Sequence, residues 1–156
     1  MSSKRVKNKT PAPKIKSAGF STGKCNLEKD QIYFCFKYIC GNKRYNFDQM
    51  DKEKGGAGNK SHKEFVKLLR NLSYSTWESL GRLGKDKGFE TIEISELNCD
   101  ITRNYKERLS PDTKLHIFRF GHGNCYRMIG YKSETCIAVL HILAFDYDYT
   151  LYDHGS

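Results

Sequence analysis

"KLHIFRFGHGNCYRMIGYKSETCIAVLHILAF", residues 114–145, is the stretch whose reading decides the fold. It divides into three runs dense in β-branched and aromatic residues, "KLHIFRF", "CYRMIGY" and "CIAVLHILAF". Between them stand "GHGN" and "KSET", whose Gly, Asn and Ser suit reversals of chain direction. The pattern predicts a three-stranded antiparallel meander. A turn-like "DYD" follows, and residues 149–152 are expected to add a short extended segment.

Upstream, Phe65, Leu68, Leu69 and Leu72 recur at i, i+3, i+4 and i+7, which predicts a helix over 62–72 with one apolar face. Directly after it, "STWE" offers Ser75 as N-cap and Glu78 as its reciprocal partner, starting a second short helix that turns Trp77 and Leu80 inward. Gly84 and Gly88 end it, and "FETIEI" at 89–94 returns the chain to extended structure. "QIYFCFKYIC", residues 31–40, is apolar on both strand faces and reads as a central, buried strand. Between this strand and the first helix, residues 41–61 are polar and contain "GGAG", a flexible connection. It is not a phosphate loop, because Gly58 is followed by Asn59 and only then by Lys60. The element order therefore predicts an α+β fold: a helix hairpin on one face of a mainly antiparallel sheet, the other face left open for a ligand.

The chain has 156 residues, of which 13% are aromatic, enough for one domain with a real core. Its longest apolar run, Cys136 to Phe145, is broken by His141 and falls far short of a membrane span. The N-terminus lacks the apolar core of a secretory signal, so the expected compartment is the cytoplasm. The net charge of +9 is unevenly placed: residues 1–24 carry seven Lys or Arg and no acid, leaving only +2 for the remainder. We expect a basic, disordered tail at 1–24 and a single domain at 25–156. Lys4, Arg5, Lys7 and Lys9 of that tail could grip RNA phosphates through salt-sensitive contacts, or simply be solvated. The six cysteines form no C-x-x-C pair and several lie in strand-like runs, so they read as reduced thiols. The five histidines are scattered, and neither a metal nor any other cofactor is expected.

Several polar residues of the meander are not needed for folding: His116, Arg119, Tyr126, Arg127 and His141, joined near the end by Tyr152 and His154. Their convergence depends on register. An odd number of residues in the first hairpin loop puts Arg119 and Arg127 on one face, and an even number separates them. "HG" as a two-residue turn favours the even case, grouping Arg127 with His116.

The element order, the segment "GNCYRMIGY" with Tyr126-Arg127 ahead of an apolar strand, and the ending "YDYTLYDHGS" resemble the RelE/ParE superfamily of small toxins. In its ribonuclease branch an arginine in a similar context, with basic, Tyr or His side chains near the C-terminus, cleaves messenger RNA, commonly on the ribosome. The resemblance implies a RelE-like fold and a metal-independent endoribonuclease, with an antitoxin protein as a further partner. It assigns the arginine role to Arg127, the terminal aromatic and imidazole positions to Tyr152 and His154, and a second positive charge to Arg119. Tyr126 and His116 would bind RNA beside them. In such a reaction an imidazole moves protons while a guanidinium fork holds phosphoryl oxygens. Two other functions fit the same residues: an RNA-binding module that stacks bases on Phe118, Phe120, Tyr126 and Tyr131, and a module whose sheet face or edge accepts a protein partner.

Overall fold

The computed structural model describes residues 27–51, 58–84 and 88–153. The chain forms β1 (Tyr33–Cys35), α1 (Phe47–Asp51), α2 (Gly58–Ser73), α3 (Trp77–Gly81), β2 (Phe89–Glu93), β3 (Lys114–Phe120), β4 (Tyr126–Lys132) and β5 (Val139–Asp146). The five strands make one sheet in the order β1-β5-β4-β3-β2. The meander β3-β4-β5 is antiparallel as expected, β2 joins β3 antiparallel, and β1 lies parallel to β5. Among the described residues the architecture is α+β with a mixed sheet and three helices. No described helix is long and apolar enough to cross a membrane.

The apolar stripe of α2 explains how the helices sit. Phe65 and Leu72, with Leu80 of α3, join Phe118, Phe120, Met128, Leu140, Ile142 and Phe145 in one buried layer. The capping of α3 is shifted by one residue from expectation. The Ser75 hydroxyl is spent on the Asn71 carbonyl at the end of α2 (2.9 Å). Thr76, in extended conformation, is therefore the cap, and Ser79 reciprocates in place of Glu78.

The opposite face is not open. Leu115, Ile117, Ile129, Tyr131, Leu143 and Ala144 pack there against Cys40, Tyr45, Ile101, Tyr105, Leu151 and Tyr152. Residues 94–109 and the last described segment thus roof the face expected to be free. The same two-sidedness corrects the reading of residues 31–40. Only three of them form a strand, and it is an edge strand. The run is apolar on both faces because it feeds two cores: Phe34, Phe36 and Ile39 pack with the helix layer, Tyr38 and Cys40 with the other. Residues 41–51 are more than a connection, since Tyr45 and Met50 are buried and the Tyr45 carbonyl accepts the Phe145 N–H at 2.8 Å. The expected extended segment at 149–152 reduces to a single bridge between Leu97 and Tyr152. Cys35, Cys40, Cys99 and Cys125 are free thiols, whereas Cys136 is disulfide-bonded, which corrects the reading of all six as reduced.

One irregularity sets which β5 residues face which core. Ile129 pairs with Ala144 but Gly130 with Ile142, so Leu143 is the extra residue of a bulge. Leu143 and Ala144 consequently both face the roofed side. At Gly130 an added Cβ would lie 2.7 Å from Leu140 Cδ1 and 3.1 Å from the His141 carbonyl. Gly130→Ala should therefore destabilise the fold by roughly 1–3 kcal/mol, read as a lower urea midpoint at unchanged slope. A wild-type midpoint would mean that the bulge is not fixed by this contact.

Candidate active site on the roofed face

Phe120 pairs with Tyr126, so the first hairpin loop contains residues 121–125, an odd number. His122–Asn124 form a short 3-10 turn rather than a two-residue reversal, with Gly121, Gly123 and Asn124 all at positive φ. Arg119 and Arg127 are consequently direct cross-strand partners on one face. This overturns the expected grouping of Arg127 with His116.

Both arginines share the roofed face with Glu90 of β2, whose Oε1 collects three donors. Arg119 donates from Nη2 at 3.1 Å and Nε at 3.4 Å, and the Tyr152 hydroxyl donates at 2.9 Å. Burial, then Glu90, raise the Tyr152 pKa far above the ordinary 10 and keep the phenol protonated, with Arg127 pulling the other way. Arg127 is only 4% exposed. Its guanidinium carbon lies 4.2 Å from the ring centre of Tyr149, Nη1 donates to the Cys125 carbonyl at 3.4 Å, and Nε has no acceptor among the described residues. Arg119 is the more accessible of the two, its side chain 19% exposed against 11% for Glu90.

Asp146, the β5 partner of Arg127, is fully buried. Its Oδ1 accepts the backbone N–H groups of Asp148 (3.3 Å) and Thr150 (3.2 Å), and its Oδ2 that of Leu151 (3.2 Å). These bonds fold the chain back so that Tyr149 reaches Arg127 and Tyr152 reaches Glu90.

Three of the four expected catalytic residues, Arg119, Arg127 and Tyr152, are thus brought together. His154 lies outside the described residues, as do Lys4, Arg5, Lys7 and Lys9. His116 is on the opposite face, 5.3 Å from Trp77 and stacked at 5.7 Å on Phe89 (ring centres). Burial, and secondarily Lys132, depress its pKa to about 4, so it is neutral near pH 7 and cannot act there as a cationic RNA contact. Tyr126 also faces the helix layer, against Phe120 and Tyr147. His141 is on the roofed face but packs between Tyr38 and Tyr105, away from the arginine pair. Glu90 is the residue that sequence reasoning missed. Its signal was a carboxylate two positions from Ile92, on the inward side of β2. Among the described residues no group of three or more His, Cys, Asp or Glu could hold a metal ion.

The buried titratable groups fix a pH dependence. His116 is harder to protonate folded than unfolded, so its contribution is complete above about pH 6.5 and is lost as pH falls through about 4. Tyr131, raised to about 12 chiefly by burial, and Tyr152 carry the opposite sign: their contribution is whole below pH 10 and is lost above it. Urea-unfolding free energies should fall on both sides of a neutral plateau, and His116→Asn should flatten the acid limb. Tyrosinate absorbance should show Tyr131 and Tyr152 among the phenols that ionise only with unfolding. An acid limb unaltered in His116→Asn would refute the assignment.

Comparison with known proteins finds no family model, no curated protein and no solved structure that matches this chain, so the reading of the site rests on its own geometry.

Proposed function

We propose that the protein is an endoribonuclease that cleaves messenger RNA, free or on the ribosome, by transesterification on protein groups alone, in the manner of the RelE-like toxins. The observation that carries the reading is the convergence of two opposed arginines with a carboxylate that accepts hydrogen bonds from Arg119 and Tyr152. The Tyr126-Arg127 segment ahead of an apolar strand, in an α+β fold, supports the RelE-like comparison. An antitoxin chain is the protein partner such an activity calls for.

RNA carries its own nucleophile, so the protein must move two protons and offset one developing charge. In the proposed step Glu90 accepts the proton of the 2′-hydroxyl as the 2′-oxygen bonds to phosphorus. Arg119, the more accessible arginine, takes the phosphate oxygens by exchanging its contact with Glu90 for them. The bond from phosphorus to the 5′-oxygen breaks, and the protonated Tyr152 supplies the proton of the leaving group. Products are a 2′,3′-cyclic phosphate and a 5′-hydroxyl. Because Tyr152 already donates to Glu90, the acquired proton returns from Glu90 to the phenolate in one transfer. Arg127 is a positioning residue: it lies under Tyr149 and adds fixed positive charge behind the phosphate site.

A second reading, RNA binding without cleavage, draws on the closure of the same network, since Glu90 Oε1 is already occupied by two side chains. Incubating RNA in EDTA, with and without translating ribosomes, and mapping the ends separates the two. Arg119→Ala and Tyr152→Phe should each slow cleavage by about a hundredfold or more at saturating RNA, and Glu90→Gln likewise. Arg127→Lys should retain more activity than Arg127→Ala. RNA retained intact by a folded wild-type protein would replace cleavage with binding.

A further inference from the structure

We infer that the groove between α2 and the β3–β4 turn is a nucleotide subsite, holding a base and phosphate of the same single-stranded RNA. The inference rests on RNA being the ligand but not on its cleavage. The groove has a volume of about 800 Å³ and is walled by Lys63, Glu64 and Lys67 on one side and by Gly121, His122 and Tyr126 on the other. That is within the range of small-ligand sites.

Lys63 and Lys67 stand four residues apart on one flank of α2, and both line the groove. Lys67 is ion-paired with Glu64, whereas Lys63 has no carboxylate partner among the described residues. Its charge is available to a phosphate. The facing wall is aromatic and rigid. The Tyr126 ring is wedged by Phe120 and Tyr147, with centroids at 5.4 and 5.3 Å. Gly121 closes on it from the turn: at φ +85 an added Cβ would lie 2.5 Å from Tyr126 Cδ2. The part of Tyr126 that lines the groove is thus held rigid, so a base packing against it meets no ordering cost in the protein. His122 is exposed at the rim, and nothing lies within 4 Å of where a Gly123 side chain would begin. A five-residue glycine-bearing turn where a two-residue reversal would join the strands leaves room for a ligand.

Topology links the groove to the arginine pair. Tyr126 and Arg127 are consecutive on β4 and therefore point to opposite faces. Arg119 precedes Gly121 by two residues on the other strand. A single strand of RNA rounding the tip of the hairpin would present one phosphate to Arg119 and a neighbouring nucleotide to Tyr126 and Lys63. The groove would then set which nucleotide beside the scissile bond is favoured.

The test titrates the full chain with a fluorescein-labelled octauridylate, and separately with uridine 5′-monophosphate and with inorganic phosphate. Wild type is compared with Lys63→Ala/Lys67→Ala and with His122→Ala, all exposed positions that the fold tolerates. We expect the double variant to bind octauridylate about tenfold or more weakly at low salt, and its log-log salt slope to fall by about one to two. Unchanged affinity and slope in the double variant, with RNA still cleaved, would overturn the groove and leave the nuclease standing. Loss of binding in the double variant from a protein that never cleaves RNA would keep the groove and overturn the nuclease. Inorganic phosphate competing as well as the mononucleotide would overturn base stacking, and the mononucleotide binding as tightly as octauridylate would overturn the RNA assignment.

Discussion

The candidate site exists because the Asp146 carboxylate is buried with three backbone N–H groups in its grip. An irregular segment leaving a sheet ordinarily frays unless its contacts offset the entropy of ordering it. Here Asp146, at the end of β5, reaches forward and accepts the backbone N–H groups of residues 148, 150 and 151. Neighbouring bonds complete the attachment: the Asn98 N–H to the Leu151 carbonyl, its side-chain amide to the Thr150 carbonyl, and the Tyr45 hydroxyl to Thr150. Without this fold-back Leu151 leaves the core and Tyr152 leaves Glu90. Arg127, under the Tyr149 ring, depends on the same carboxylate.

The roof has a second consequence. A five-stranded sheet with helices on one side has a bare face, and hydrophobic residues there must be covered. This chain covers it with irregular structure, residues 94–109 and 147–152, instead of a second helical layer. Irregular backbone needs local hydrogen-bond partners wherever it is buried. The side chains of Asp100, Asn98, Glu96 and Asp146 provide them. It also leaves polar side chains at the margins of the core, which is how Glu90, Arg119, Arg127 and Tyr152 come to lie beside Ile92, Ile117 and Ile129.

Long-range periodic signals carried the legible part of the fold. The meander announces itself through three β-rich runs with turn residues between them, and α2 through four apolar residues at helical spacing. What escaped the sequence was decided by single-residue choices or by tertiary packing. Ser75 and Thr76 are both competent caps, and only the prior engagement of Ser75 with Asn71 selects Thr76. An aromatic run apolar on both faces fits a central strand, yet it fits equally an edge strand set between two cores. "HG" has the composition of a tight reversal, but Tyr126 packed against Gly121 requires the longer loop. That one difference moved Arg119 onto the face of Arg127. Tyr152, Arg119 and Arg127 were recognisable as chemistry-bearing residues, while their common partner Glu90, an isolated carboxylate in "FETIE", was not. Its significance lies in a register that no local pattern encodes.

Energetics bear on what this network is for. Two like charges directly opposite on adjacent strands are destabilising, and taking ion pairs out of water costs more than packing hydrophobic residues of similar size in their place. The roofed face nevertheless carries Arg119, Arg127, Glu90 and Asp146 among isoleucines and leucines that would fill the same volume. Two of the four have structural duties: Asp146 anchors the fold-back, and Arg127 is its cross-strand partner. Arg119 and Glu90 are joined to each other at 3.1 Å, and both remain partly open to solvent at the edge of the roof. A half-buried ion pair that costs stability, next to a phenol kept protonated by its surroundings, is arranged like groups that could meet a charged ligand. That energetic cost is what the proposed catalytic use of Glu90 and Arg119 would explain.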